Sequence, residues 1–308
     1  MKKSPILLLF VLGCLQLSAQ QRPIQSLYMF DPLLINPAYA GTQTQLSATA
    51  IYRNQWVNLE GAPKTFTTTV HSGFLGNRVG LGIIASSDNI GIHTDNSAYG
   101  VYSYRIRIDR TTSLSLGLQA GFHNFRSDFN KLTLKNLNDP NLVGVYQKTT
   151  ANFGTGLYLR HKAYFVSLSV PYLLNNNLNR INENGVGEVY KQRRYFYAMA
   201  GITLPISDHI QWYPSVLGRI QEKAPFSMDI NSTFVLSKSV GLGASYRLGE
   251  GFVGLFELQL NDNFHVGYAY DFTSSNLSRF SAGTHEIMVN YRIKIPRLHK
   301  GLECPSYW

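Results

Sequence analysis

The sequence predicts an all-β fold, a transmembrane antiparallel β-barrel of about 14 strands, and three observations carry that prediction. Apolar and polar residues alternate with period two through most of the chain, whereas helical spacing appears nowhere at comparable length. Charged residues make up only 15% of the chain against the roughly 25% usual for soluble domains, while aromatics reach 13%. Beyond the amino terminus, no stretch holds the ~18 uninterrupted apolar residues that a spanning helix requires.

The first residues read as an export signal, residues 1–19. Lys2 and Lys3 precede an apolar run from Ile6 to Leu17 that stops at Ser18 and Ala19, with cleavage expected after Ala19. A second reading stays open, in which Val11, Leu12, Gly13 and Cys14 form a lipoprotein box with Cys14 lipidated. Loss of the leader removes two of the 28 basic residues and no acid, leaving a formal charge of +8. A balance of this size suits anionic lipid, an acidic partner or nucleic acid and does not choose among them. Cys304 is the one cysteine beyond the leader, so no intrachain disulfide can hold the fold.

Residues 20–44 show no alternation and include Pro23, Pro32 and Pro37; they are expected to form a periplasmic segment that plugs or braces the barrel. Alternation then marks fourteen strands: 45–57, 64–74, 79–87, 97–108, 112–125, 151–160, 163–173, 193–206, 209–221, 226–236, 239–248, 251–260, 263–272 and 284–295. The barrel thus spans residues 45–295, with 296–308 as a short periplasmic tail. Most strands have the length that a tilted strand needs to cross a bilayer, about 9–11 residues. Connections after even-numbered strands hold two to four residues, and most of the others are longer, chiefly Arg126 to Thr149 and Leu174 to Gln192. Short turns on one rim and long loops on the other place both termini in the periplasm.

Hydrocarbon excludes an open sheet edge, because an unpaired backbone amide or carbonyl there costs several kcal/mol; the sheet must therefore close. Arginine turned to lipid at the midplane costs roughly 2–4 kcal/mol, so Arg105, Arg107, Arg219 and Arg247 are expected inside or at a rim. Tyr104, Ile106, Leu116, Leu118, Leu242, Ala244, Ile287 and Val289 are expected to face lipid. Pro214 falls within the ninth strand, where its missing N–H predicts a bulge or local break.

Neither a catalytic constellation nor a metal or cofactor site emerges. His71, His93, His123, His161, His209, His265, His285 and His299 are scattered without ligand spacing. Gly80, Gly82, Gly241 and Gly243 read as strand glycines that ease packing and twist, and no phosphate loop is present. Glu286 and Arg292 share the inward face of the last strand with Asn290 and Lys294, which predicts an interior charge network or, alternatively, a gate or partner contact. Cys304 reads as a tail thiol, and Trp56, Tyr307 and Trp308 as interface-belt aromatics or protein contacts.

At Asn36-Pro37-Ala38-Tyr39-Ala40-Gly41, preceded by Leu27-Tyr28-Met29-Phe30-Asp31-Pro32-Leu33-Leu34-Ile35, the chain resembles the PorP/SprF family of Bacteroidetes outer-membrane proteins. Arg53-Asn54-Gln55-Trp56, Gly283-Thr284-His285-Glu286-Ile287-Met288 and the ending Cys304-Pro305-Ser306-Tyr307-Trp308 agree with it, apart from Thr284 and Trp308, where the family often has Ser and Phe. The resemblance implies a non-enzymatic outer-membrane barrel of the type IX secretion and gliding apparatus. Its implied partners are outer-membrane lipid, periplasmic ring or peptidoglycan-binding proteins, and a secreted adhesin, with no nucleic acid. Asn36, Pro37, Tyr39, Gly41, Arg53, Gln55, Trp56, His285 and Glu286 are the candidate motif and contact residues. Asn36, Pro37 and Gly41 suit a tight periplasmic turn into the first strand, with Tyr39 as its anchor. The alternative function is a small-solute pore, since fourteen strands can enclose a water-filled lumen; a barrel hydrolase is a more distant one.

Overall fold

The computed structural model describes residues 24–43, 45–132, 144–178, 181–182, 185–186, 191–222, 224–273 and 279–294. The leader, Cys14, Cys304, Tyr307, Trp308, His299 and the centre of the Arg126 to Thr149 loop lie outside them. Fourteen strands form one closed antiparallel barrel: β1 (Leu46–Asn54), β2 (Lys64–Phe74), β3 (Val79–Ile90), β4 (His93–Arg107), β5 (Thr112–Asp128), β6 (Val145–His161), β7 (Tyr164–Val170), β8 (Tyr195–Ile202, resumed at Leu204–Ser207), β9 (Ile210–Gln221), β10 (Ser227–Leu236), β11 (Val240–Arg247), β12 (Gly251–Gln259), β13 (Phe264–Thr273) and β14 (Thr284–Ile293). Each strand pairs with its sequence neighbours. The ring closes where β1 meets β14, in register from Leu46↔Ile293 to Asn54↔His285.

The predicted strands and the observed ones correspond one to one, and the two faces divide as the charge cost requires. Tyr104, Ile106, Leu116, Leu118, Leu242, Ala244, Ile287 and Val289 all lie exposed on the outer face. Arg219 and Arg247 are buried within, and Arg105 is half-buried. Arg107 reaches the Gly76 carbonyl at the short-turn rim. An environment-sensitive label at position 106 or 116 is therefore expected to report lipid in reconstituted bilayers; a water-like signal at both would contradict the barrel's orientation in the membrane.

Four strands outrun their predicted ends on the long-loop side. The stretch 88–96, expected as a loop, continues β3 and β4 to a turn at Gly91 and Ile92, and β5 and β6 likewise extend to Asp128 and back to Val145. Here the pairing is braced by polar cross-strand contacts, Thr65 to Asp88 at 2.8 Å, Ser86 with Ser97 at 2.8 Å and Thr94 to Asn89 at 2.8 Å. Polar side chains on both faces erase the alternation without stopping the ladder.

Pro214 stands in an unbroken β9, in register with Ser232 of β10. The interruption falls on the opposite neighbour: β8 stops at Ile202 and resumes at Leu204, between the pairs Gly201↔Ser215 and Leu204↔Trp212. The strand with no donor to offer is thus matched by a gap in its partner. Thr203, inside that gap, turns its N–H to the Ala163 carbonyl at 2.8 Å.

Candidate functional site

Residues 24–43 occupy the barrel lumen, held by inward-facing residues of the wall. Prolines and aspartate or asparagine caps break this stretch into three short 3-10 turns, Ser26–Met29, Pro32–Leu34 and Pro37–Tyr39. Pro follows the cap in the second and third, where a missing N–H costs nothing. Asp31 accepts the Leu33 N–H at 3.3 Å, and Asn36 Oδ1 accepts the Ala38 N–H at 2.8 Å. Such a chain satisfies its own backbone in part and must take the rest from the wall.

The wall supplies it at two levels. In the half of the lumen nearer the long loops, Glu286 of β14 accepts the backbone N–H groups of Ser26 at 2.8 Å and Leu27 at 3.1 Å. Its carboxylate also pairs with Arg53, which faces it directly across the β1–β14 seam and donates to the Ile24 carbonyl at 3.2 Å. Arg53 reaches Asp271 at 3.2 Å, and Arg247 joins Asp271, Asp229 and Glu250 at 3.6, 3.3 and 3.2 Å. Arg219 completes the chain to Asp229 at 3.4 Å and Glu250 at 3.3 Å. Ser26 Oγ donates to Asp271 at 2.7 Å, and the Tyr28 hydroxyl accepts from Asn231 at 2.8 Å. Three arginines meet four carboxylates here. Each buried charge is offset by a neighbour of opposite sign, the condition for keeping ions away from water.

Nearer the short turns, Asn36 donates to the Leu157 carbonyl at 2.8 Å and Ser167 Oγ at 2.7 Å. Ser169 Oγ donates to the Ile35 carbonyl at 2.6 Å, Ser103 Oγ to that of Ala40 at 2.7 Å, and Arg160 to that of Thr42 at 3.1 Å. Asp31 accepts from Thr69, and the Gly41 N–H donates to His71 Nδ1 at 3.2 Å. Tyr39 packs edge-on against His71 and Tyr158. Between the levels, Leu27 packs with Ile51, Val253, Leu255, Ala269 and Met288, while Ile24, Tyr28 and Ile35 pack with Met199 and Leu217.

Close approach of the segment explains three wall glycines. A Cβ at Gly80 would overlap the Ala40 carbonyl, one at Gly117 the Ala38 amide and one at Gly156 the Asn36 carboxamide. Gly41, at φ +66°, turns the chain out of the lumen toward β1, and a Cβ there would lie 2.6 Å from the Gly80 Cα. Gly80 therefore makes room for the segment, beyond easing strand packing.

The candidate residues separate accordingly. Asn36, Pro37, Tyr39, Gly41, Arg53 and Glu286 converge on the seated segment. Gln55 is buried just beyond the end of β1. Trp56, half-buried at φ 49°, donates its N–H to Thr284 Oγ1 at 3.2 Å at the long-loop rim. His285 points outward, 2.7 Å from the Tyr268 hydroxyl, and does not join the lumen network. Of the last strand's inward set, Arg292 is held by Asn290 at 2.8 Å, while Lys294 is exposed beside Asp262 at 3.8 Å. Asp31, Asp229, Asp271, Ser167, Ser169, Gly117 and Gly156 were absent from the sequence-derived set. A charged residue in the inward phase of a membrane strand is the signal that points to Asp229 and Asp271; the serines and glycines carry none.

Above the segment, the stretch after β7 bends inward. Gln192 meets His123 at 2.6 Å and Asn152 at 3.1 Å, and Tyr172 packs on Tyr99 and His123. Among the described residues, no group of three His, Cys, Asp or Glu is placed to hold a metal.

Solved structures resemble this chain, and those aligned above a TM-score of 0.5 share its fold. A structure described as the CymD monoaromatic hydrocarbon channel aligns with a TM-score of 0.52 at 12% identity, over 90% of this chain and 94% of that one. The Pseudomonas putida toluene transporter TodX aligns with a TM-score of 0.52 at 9% identity, over 90% and 96%. The Acinetobacter baumannii outer membrane protein Omp33 aligns at 0.46 and 9% identity, over 82% and 99%. No curated protein matches the sequence. The family model for the type IX secretion system membrane protein PorP/SprF matches residues 17–291, and the chain, an outer-membrane β-barrel, belongs to that family.

Proposed function

We propose that this barrel is a plugged interaction scaffold of the type IX secretion apparatus. Through its rims it holds periplasmic ring or peptidoglycan-binding components, or anchors a secreted adhesin, and it does not pass solutes. The observation that carries this reading is the occupied lumen: Leu27, Leu33, Asn36, Ala38 and Ala40 have no exposed surface, because barrel wall surrounds them. A chain with a filled interior offers its rims and loops to partners. The channel and transporter activities named for CymD and TodX are properties of those proteins, and the alternative pore reading would require residues 24–43 to leave their seat.

Two measurements test the proposal. The purified barrel is expected to hold a planar bilayer at baseline conductance, and deletion of residues 24–40 to give steady ion-conducting events; a steady open pore in the intact protein would favour the pore. In cells without a paralogue, loss of the protein is expected to abolish export or surface display of a defined set of cargo. Normal secretion there would overturn the scaffold role.

A further inference from the structure

Below the seated segment, on the periplasmic side, a cavity of about 350 Å³ opens at the β6–β7 turn, lined by Tyr158, Arg160, His161, Lys162, Gln211 and Tyr213 among others. Arg105 lies along the same wall, in register with Ser115, which in turn pairs with Tyr158.

The charges here are composed differently from those in the upper half. Arg219, Arg247 and Arg53 each meet carboxylates. Among the described residues, Arg105, Arg107, Arg160 and Lys162 meet none. The three arginines touch neutral oxygens instead: Arg105 the Ser115 hydroxyl and Asn77 carbonyl, Arg107 the Gly76 carbonyl, Arg160 the Thr42 carbonyl. Arg105 Nη2 is buried and finds no acceptor among the described residues. Lys162 is exposed at the turn and makes no hydrogen bond among the described residues. Arg160 and Lys162 on the cavity wall, with Arg105 two strands along, repel one another and focus a positive potential outward, an arrangement that an arriving anion relieves.

From this, and resting on the scaffold reading above, we infer that the cavity is a docking site for an acidic segment of a periplasm-exposed polypeptide, with carboxylates taken by Arg160 and Lys162. Guanidinium groups match carboxylates in paired hydrogen bonds. Stacked rings on the lining, Tyr158 with Phe165 at 5.8 Å and His161 with Tyr164 at 4.6 Å, give the apolar body of a side chain a surface to lie on, which a bare inorganic anion would not use.

The test uses the full-length mature barrel in detergent micelles and a fluorescein-labelled peptide of alternating glutamate and tyrosine, with a glutamine-for-glutamate twin, read by fluorescence anisotropy at low salt. The glutamate peptide is expected to bind and its twin to be ignored. Arg160→Gln with Lys162→Gln should weaken binding about tenfold or more, as loss of two charge-assisted contacts implies. Because Arg160 also holds Thr42, Lys162→Gln alone serves as the variant that disturbs no contact of the fold, and it should weaken binding about threefold and flatten the salt dependence. Arg193→Gln with Arg194→Gln, at the opposite rim, should leave binding unchanged. Equal binding of the twin, equal binding by the Arg160/Lys162 variant, or titration calorimetry showing inorganic phosphate bound while the peptide is ignored would each overturn the assignment. A barrel that stays non-conducting yet ignores the peptide defeats this site and leaves the scaffold reading intact.

Discussion

Glu286→Ala is expected to loosen the lumen segment and lower the barrel's thermal midpoint more than any other single change at the site. The carboxylate serves three roles at once: acceptor for two backbone amides, partner of Arg53, and the negative end of a network that reaches Arg219. Its removal leaves a buried guanidinium short of countercharge and two N–H groups without acceptors. Breaking one side of a buried pair costs about 3–5 kcal/mol, and each stranded donor adds about 1–3 kcal/mol. The double variant Arg53→Met with Glu286→Ala removes both charges and should be less destabilised than Glu286→Ala alone, with Arg53→Met as the second single variant. The measurement is a double-mutant cycle on thermal unfolding in micelles, with chymotrypsin cleavage at Tyr28 as a separate readout of segment release. Additive losses would show that the pair is not coupled.

Gly117→Val is expected to evict the segment while leaving the barrel closed. A β-branched residue suits a strand better than glycine, by up to about 1 kcal/mol, so the wall itself should not suffer. The new side chain, however, would stand where the Ala38 amide lies. Overpacking against backbone costs about 1–3 kcal/mol or more, and the segment yields because the wall is tied by two strand ladders. Planar-bilayer conductance should rise from baseline, and chymotrypsin should cut at Tyr39. A Gly121→Val control places its Cβ against β4 backbone rather than the segment and should damage folding instead. Conductance that stays at baseline in a folded Gly117→Val barrel would show that the segment does not rest where Gly117 leaves room.

The strands were legible because lipid enforces the alternation that reveals them. Ile106 and Leu116 must face acyl chains and Arg105 and Ser115 must not, so the period is written into the residues themselves. Above the membrane that constraint lapses, and so Asp88 to Asn96 read as a loop although the ladder continues through it. The amino-terminal segment was legible as a motif and as a plug or brace, but not in its seat. Its turns follow from Pro32, Pro37, Asp31 and Asn36, but its location depends on contacts such as Ser26 to Glu286, which are 260 residues apart in sequence and leave no local periodicity. The glycines were visible and their reason was not, since the backbone that crowds Gly117 comes from a stretch some eighty residues earlier. Arg53 and Glu286 were both singled out, from separate motifs, without any sign that they face one another.

That facing pair sits on the first and the last strand, which gives assembly an order. During folding the segment from Ile24 onward is available early, yet half of its seat does not exist until β14 arrives beside β1. Contacts of such long range form late, because the intervening chain must be gathered first. Zippering the final seam brings Glu286 opposite Arg53 and, in the same event, completes the cradle for Ser26 and Leu27. The two halves of that cradle therefore come together only when the seam closes, and a seated segment reports a finished cylinder.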